Sequence, residues 1–330
     1  MASILLRFPS RLGAALALAL GLAAVSAAAQ PSYPDKSIRI VVPYPPGGTA
    51  DILGRLLAER LAPELGQPVL VENRAGGGTA IGARFVANAS PDGYTLFIGT
   101  STSHAINPAL QGDIGYDPVR DFTAVSAIAE VPYVIVSHPK RGFRTLKDLV
   151  AHARAHPGEL NYSSAGTGSS NHLGGELLGS VEHIRITHIP YKGSAPALND
   201  LLAGQVDFMF DLAPTAQQHV RAGRLTALAV TAAQRSAVLP DVPTTAEAGV
   251  AGVQITAWFG VFAPARLPAQ IEQRLARAVA AVLAQPDTRK RLADLGTEPM
   301  AQQGTAFRSF VAQDHAHWKA LVAQAGIKAN

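Results

Sequence analysis

"VVPYPPGGTADILGRLLAERL", residues 41–61, ends a β-branched run at Pro43, adds Pro45 and Pro46, frees Gly47 and Gly48, and starts an apolar helical repeat at once. Ile52, Leu53, Leu56, Leu57 and Leu61 share one face at helical spacing, which predicts a helix over about 49–65. The prolines fix φ and carry no N–H, so they stiffen the connection without adding donors. Gly47, Gly48, Thr49 and Ala50 then offer consecutive amides at a helix mouth, where the first N–H groups lack partners and the dipole is positive. Thr49 suits the N-cap, and Asp51 falls in the first turn. A strand, a small-residue turn and a helix in this order can hold an anion by main-chain donors alone. An ordinary strand–helix connection has the same composition, so the loop alone does not decide.

The arrangement recurs. "NYSSAGTGSSNHLGGELLG", 161–179, sets a strand before Ala165-Gly166-Thr167-Gly168-Ser169-Ser170 and a helix after it, with His172 in the first turn. "GTSTSHAINPAL", 99–110, adds Ser101, Thr102, Ser103 and His104 after the strand-like "YTLFIGT". Three such loops favour ligand binding. Apolar runs alternate with helical patterns through two successive series, the second running from "LKDLVAHARAH" to "LTALAVT". That alternation predicts an α/β fold, with ligands gathered beyond the carboxyl ends of the strands and a cleft between two facing lobes. "VPYVIVSHP" and "TAWFGVFAP" read as strands, 111–124 as irregular, and Pro268 as the first residue of a helix striped by Ile271, Leu275, Val279, Val282 and Leu283. A last helix is expected over about 305–325.

Residues 1–29 have the form of a cleaved secretory leader: Arg7 and Arg11, an apolar stretch from Leu12 to Val25, and Ala27-Ala28-Ala29 before Gln30. The expected site of action is therefore the periplasm. The 28 basic and 24 acidic residues give a net charge of +4 and a pI of about 9.4, but Arg7 and Arg11 leave with the leader, and 26 against 24 is only +2. No run of five like charges occurs, which argues against a nucleic-acid partner. Zero cysteines exclude disulfides, thiol catalysis and cysteine-ligated zinc.

No cofactor is expected. The phosphate-loop pattern is absent, and Gly76-Gly77-Gly78 misses the dinucleotide fingerprint because Ile81 stands where its last glycine belongs. No G-x-S-x-G elbow occurs. Ser169 or Ser170 with His172 would make a secreted serine hydrolase only if their geometry paired them. A phosphate or sulfate binder could use the same helix mouths. His152 and His156 lie four apart before Pro157, where surface decoration reads better than a metal pair, and His315 and His317 read the same way. Lys192 in "PYKGS" could add one positive charge to a binding site. On these grounds the chain is read as a binding protein rather than an enzyme.

Taken in order, "IVVPYPPGGTADILGRLLAERL", "GQPVLVENRAGGGTAIGA", "SPDGYTLFIGT", "YDPVRDF", "LNYSSAGTGSSNHLGGELL", "IPYKGSAPALNDLLAGQVDFMFD", "LPDVPTTAEAG" and "WFGVFAPA" resemble the receptor component of tripartite tricarboxylate transporters, the Bug-type solute-binding proteins. The resemblance implies a type II, flytrap-like periplasmic binding protein with its ligand cleft between two lobes. Lobe one would be 31–128 plus 252–330 and lobe two 129–251. It implies a small carboxylate ligand (a di- or tricarboxylate, an acidic amino acid or an aromatic acid), held by the loop from Tyr44 through Gly47, Gly48, Thr49 and Ala50 to Asp51 and by Thr167, Gly168, Ser169 and Ser170. Ser101 to His104, and residues near Asp207 and Asp211, would face the variable end. Leu212 departs from the asparagine common after "MFD", which touches ligand preference. The implied partners are membrane transporter subunits or a sensor protein, and the receptor is expected to be a monomer.

Overall fold

The computed structural model describes residues 33–325; the expected leader, residues 1–29, lies outside them. Strand β1, Ile38–Val42, is buried except at Arg39 and stops at Pro43, whose ring carries no ladder donor. Helix α1, Thr49–Leu65, has the predicted bounds and ends on Gly66 in the left-handed conformation. Next come β2 (Val69–Asn73), α2 (Ala80–Ala87) and β3 (Thr95–Thr100). A π-helical turn over Thr102–Ile106 follows and runs into the short α3, Asn107–Gln111.

Strand β4, Phe122–Ser137, is 16 residues long. It absorbs both the predicted "VPYVIV" strand and the end of the stretch expected to be irregular, because every side chain on it except Glu130 is buried. Then follow α4 (Leu146–Ala155), β5 (Asn161–Ser164), α5 (Ser170–Glu182), β6 (Thr187–Pro190), α6 (Ser194–Leu202), β7 (Phe208–Leu212), α7 (Ala213–Arg221) and β8 (Thr226–Val230). Strand β9 is Thr256–Pro264, and α8 (Ala269–Ala284), α9 (Pro286–Asp294), β10 (Glu298–Pro299) and α10 (Gly304–Ala325) complete the described chain. Pro268 caps α8 rather than opening it, one residue earlier than its fixed φ suggested; its ψ of 134° is still extended.

The strands run in the order β2-β1-β3-β9-β4-β7-β5-β6, with β10 and β8 also paired to β4. β1, β2 and β3 pair in parallel, and so do β5, β6 and β7. Between these two parallel sets, β9 and β4 run antiparallel. β4 therefore serves both halves: Phe122–Pro132 ladders with β9, and Tyr133–Ser137 with β7. Each half has its own apolar core. One packs Phe97, Phe122, Trp258, Phe262 and Phe307 together, and the other packs Val134, Leu201, Met209 and Leu225. The carboxyl ends of the parallel strands in both halves lead into the small-residue loops. Among the described residues no helix is long and apolar enough to cross a membrane.

Candidate functional site

At the mouth of α1, Gly48 occupies the cap with extended backbone and no side chain caps the helix. Thr49 is thus the first helical residue, not the cap as expected. Thr49 is 3% exposed, and its Oγ1 has no hydrogen-bond partner among the described residues. The Gly47 amide is already used, since it donates to Asp51 Oδ2 at 3.0 Å. The same oxygen accepts from Arg55 Nε at 2.9 Å, and Asn73 Nδ2 donates to Asp51 Oδ1 and to the Tyr44 carbonyl, both at 2.9 Å. Burial works against the Asp51 carboxylate, but the bonds from Arg55, Gly47 and Asn73 outweigh it and hold its pKa below the ordinary value. Asp51 and Gly47 therefore shape the loop from behind. Gly48, Thr49 and Ala50 line the pocket.

That inner pocket collects a second, a third and a fourth helix mouth. Ser169 caps α5, and Asn171 lies in its first turn; Ser194 begins α6; Leu212 caps α7. Thr100, Ser101 and Thr102 approach from the end of β3, and Tyr44, Tyr133, Ala257 and Phe259 close the sides. Among the described residues no Lys, Arg, His, Asp or Glu lines it. The positive ends of four helices, with hydroxyls between them, supply its field instead. Leu212, Ala257 and Phe259 form an apolar wall. Burial raises the pKa of both Tyr44 and Tyr133 above the ordinary phenol, so each stays a neutral donor at physiological pH.

The two halves touch through hydroxyls. Ser170 Oγ lies 2.9 Å from Thr102 Oγ1 and 3.1 Å from Ser101 Oγ, and the Ser170 amide donates to Thr102 Oγ1 at 3.2 Å. Gly168 sits at φ +80° against the opposite half, where a Cβ would fall 2.5 Å from Asn107 Oδ1. Only glycine permits that approach. About 30 Å³ of open space remains inside, room for a water but not for a multi-carbon acid. An outer groove of about 620 Å³ shares Tyr44 and Ala165 with this pocket and carries Gly76–Thr79, Thr167 and Lys192 on its rim. Lys192 is exposed there.

Several expected residues stand elsewhere. Ser103 is fully buried, with its hydroxyl donating to the Thr100 carbonyl and accepting from the Thr100 amide. His104 stacks on Phe262 at 3.9 Å inside the aromatic core, where burial drives its pKa to about 3. Both are fully buried in the π-helical turn and do not line the pocket, whereas Thr102 of the same turn does. Asp207 precedes β7, at the far end of that strand from the pocket, and its carboxylate pairs with Arg141 and accepts the Asn161 amide. His172 is buried under the Gly166–Ser170 loop, its Nδ1 accepting from the Gly168 amide at 3.3 Å. Ser169 Oγ is turned to the Gly166 carbonyl and Asn171 Oδ1, and Ser170 Oγ to Ser101 and Thr102, so neither hydroxyl is paired with His172.

Asp211 points to the sheet face opposite Leu212, where Thr215 donates to Oδ1 at 2.9 Å and Oδ2 is buried with no partner among the described residues. Burial raises its pKa to about 7. A raised carboxyl favours the folded state fully below the unfolded pKa near 4, and that advantage is lost as pH rises to about 7. The advantage is at most about 4 kcal/mol. Asp211→Asn should therefore make the melting temperature at pH 7.5, relative to pH 4.5, more favourable than in the wild type. Equal pH profiles by calorimetry would refute this.

Residues absent from the sequence reading are Thr100, Tyr133, Asn171, Ser194, Ala257 and Phe259. Ser194 had a findable signal, because Gly193 and Ser194 open a helix after "IPYK" just as the other loops do.

A two-half α/β sheet crossed by long shared strands, with helix mouths converging where the halves meet, defines a solute-binding protein of the periplasmic type. Residues 53–327 match the tripartite tricarboxylate transporter family receptor, and the chain belongs to that family. It is 36% identical to protein BugT of Bordetella pertussis over 321 residues, covering 97% of this chain and 98% of BugT. The structure of R. palustris Rpa4515 with adipate superposes with a TM-score of 0.87 at 38% identity, covering 90% of this chain and 99% of Rpa4515. MatC from Rhodopseudomonas palustris with bound malate gives 0.84 at 35%, covering 88% and 100%.

Proposed function

We propose that this protein is a non-catalytic periplasmic receptor that captures a small organic carboxylate and presents it to membrane transporter subunits. The observation that carries the reading is the inner pocket: four helix mouths, that of α1 bearing Thr49, meet at a space that no charged side chain lines among the described residues. A hydrogen bond to a charged group contributes about 1.5–3 kcal/mol, and micromolar affinity needs about 8 kcal/mol. Four or five such bonds reach that after the cost of association. The acids bound by Rpa4515 and MatC support the same class of ligand.

Lobe one takes residues 31–128 and 252–330 and lobe two 129–251, with β4 and β9 as the hinge. The ligand touches both lobes only in the closed form, so binding shifts the population toward closure and the partner reads that form. The receptor acts as a monomer. The apolar wall of Leu212, Ala257 and Phe259 favours a carboxylate with a carbon body over phosphate or sulfate, whose remaining oxygens would find no donor there. The separation of His172 from both serines favours capture over hydrolysis.

A thermal-shift screen of adipate, malate, citrate, benzoate, phosphate and sulfate tests this. A ligand at a hundred times its Kd should stabilise by about 2.7 kcal/mol. If phosphate raises the melting temperature and no carboxylic acid does, the reading is wrong.

A further inference from the structure

Far from the cleft, the C-terminal end of α4 brings His152, His156 and Glu159 together, with one ligand atom from each lying within 4.8 Å of the others. His152 Nε2 is 3.2 Å from Glu159 Oε1, and His156 Nδ1 is 3.6 Å from Oε2. Four-coordinate zinc, with bonds of about 2.0–2.1 Å, sets neighbouring donors about 3.3–3.5 Å apart, so small side-chain rotations would complete the trio. The two imidazoles sit one helical turn apart with ring centroids at 4.6 Å. Glu159 is fixed by the turn that follows the helix: its amide donates to the His156 carbonyl at 3.2 Å, and the Gly158 amide donates to Arg185 O at 2.8 Å. Phe143 packs edge-on against the His152 ring at 5.5 Å. The negative end of the α4 dipole lies here, which favours a cation.

The geometry points to a surface site for a divalent transition metal, with zinc the natural occupant, ligated by His152, His156 and Glu159 and completed by water. Two imidazoles among three donors select zinc, nickel or copper over magnesium or calcium. Arg141 competes, its Nη1 lying 3.3 Å from Glu159 Oε1, but it also pairs with Asp207 and can stay on that partner when an ion arrives. The site adjoins the start of β5, whereas the cleft loop leaves that strand at its other end, after Ser164. Zinc should therefore leave carboxylate affinity within about twofold.

The test is calorimetric titration of the untagged protein with zinc chloride in a non-chelating buffer, with magnesium chloride as control. Zinc should bind at one site and magnesium should not. His152→Ala, His156→Ala and Glu159→Gln should each weaken zinc binding at least tenfold, with unchanged far-ultraviolet circular dichroism. Cobalt loaded in place of zinc should show the absorption of tetrahedral coordination in the wild type and lose it in His156→Gln. Absence of zinc binding, or binding equal in all these variants and hence located at other histidines, overturns the assignment.

Discussion

Thr49→Asp is expected to abolish carboxylate capture while the protein still folds. Thr49 occupies the first position of α1 and lines the inner pocket, its hydroxyl buried with no partner among the described residues. A carboxylate placed there suits the α1 dipole and is met by the mouths of α5, α6 and α7. It would occupy the field that the ligand uses. Two like charges about 4 Å apart at an effective dielectric constant near 20 repel by about 4 kcal/mol, on the order of a thousandfold in Kd. Thr49→Asn, of similar size but neutral, should keep the affinity within about tenfold. Titration of both variants with whichever acid gives the strongest thermal shift decides the matter. Equal affinities would mean that the anionic group of the ligand does not sit at the α1 mouth.

How far the sequence could reach follows from where each piece of information resides. The α1 mouth was legible to within one residue because proline, glycine and a helical repeat act locally: Pro43 ends the strand and the repeat fixes the helix, but the cap falls on Gly48 and not on Thr49. The two alternating series of strands and helices pointed to two facing lobes, and the family resemblance added the flytrap-like type and the lobe bounds. The 16-residue β4 was only half seen, since its first half, "FTAVSAIA", mixes small and polar residues whose burial depends on β9 and α10 lying against it. Ser103 and His104 looked like cleft residues because a Ser/Thr/His run after a strand has donors. The π-helical turn in which they are buried was not read from the sequence. Asp207 and Asp211 share a segment with Leu212, yet strand alternation sends Asp211 to the other face, and Asp207 stands a full strand away from the pocket. Tyr133 and Phe259 lie on crossing strands with nothing local to mark them. His152 and His156 were visible as a pair, but Glu159 joins them only through the turn at Gly158, which is at φ +84°.

Phe262→Ala is expected to cost about 3–5 kcal/mol of stability, the largest loss from any single truncation proposed for this protein. The ring is 1% exposed and sits among His104 at 3.9 Å, Phe307 at 5.1 Å, Trp258 at 6.2 Å and Phe122 at 6.3 Å. It also fills the space beside Gly99, where a Cβ would fall 2.4 Å from it, so neighbouring backbone cannot collapse into the void without disturbing the β3–β9 ladder. Removing the ring has a second consequence. His104 is held neutral by burial, with a pKa near 3, so the folded state resists protonation that the unfolded chain accepts near 6.5. A histidine depressed in this way withdraws stability as pH falls from about 6.5 toward 3. With Phe262 gone, water reaches the imidazole, the His104 pKa rises toward its ordinary value, and the variant should lose less stability between pH 7 and pH 5 than the wild type does. Guanidinium unfolding at both pH values separates the effects: the midpoint falls sharply at pH 7, and the gap to wild type narrows at pH 5. A loss under about 1 kcal/mol at pH 7 would show that the cluster around His104 is not the packed core of this half. A gap that widens on acidification would show instead that the imidazole is charged in the native fold.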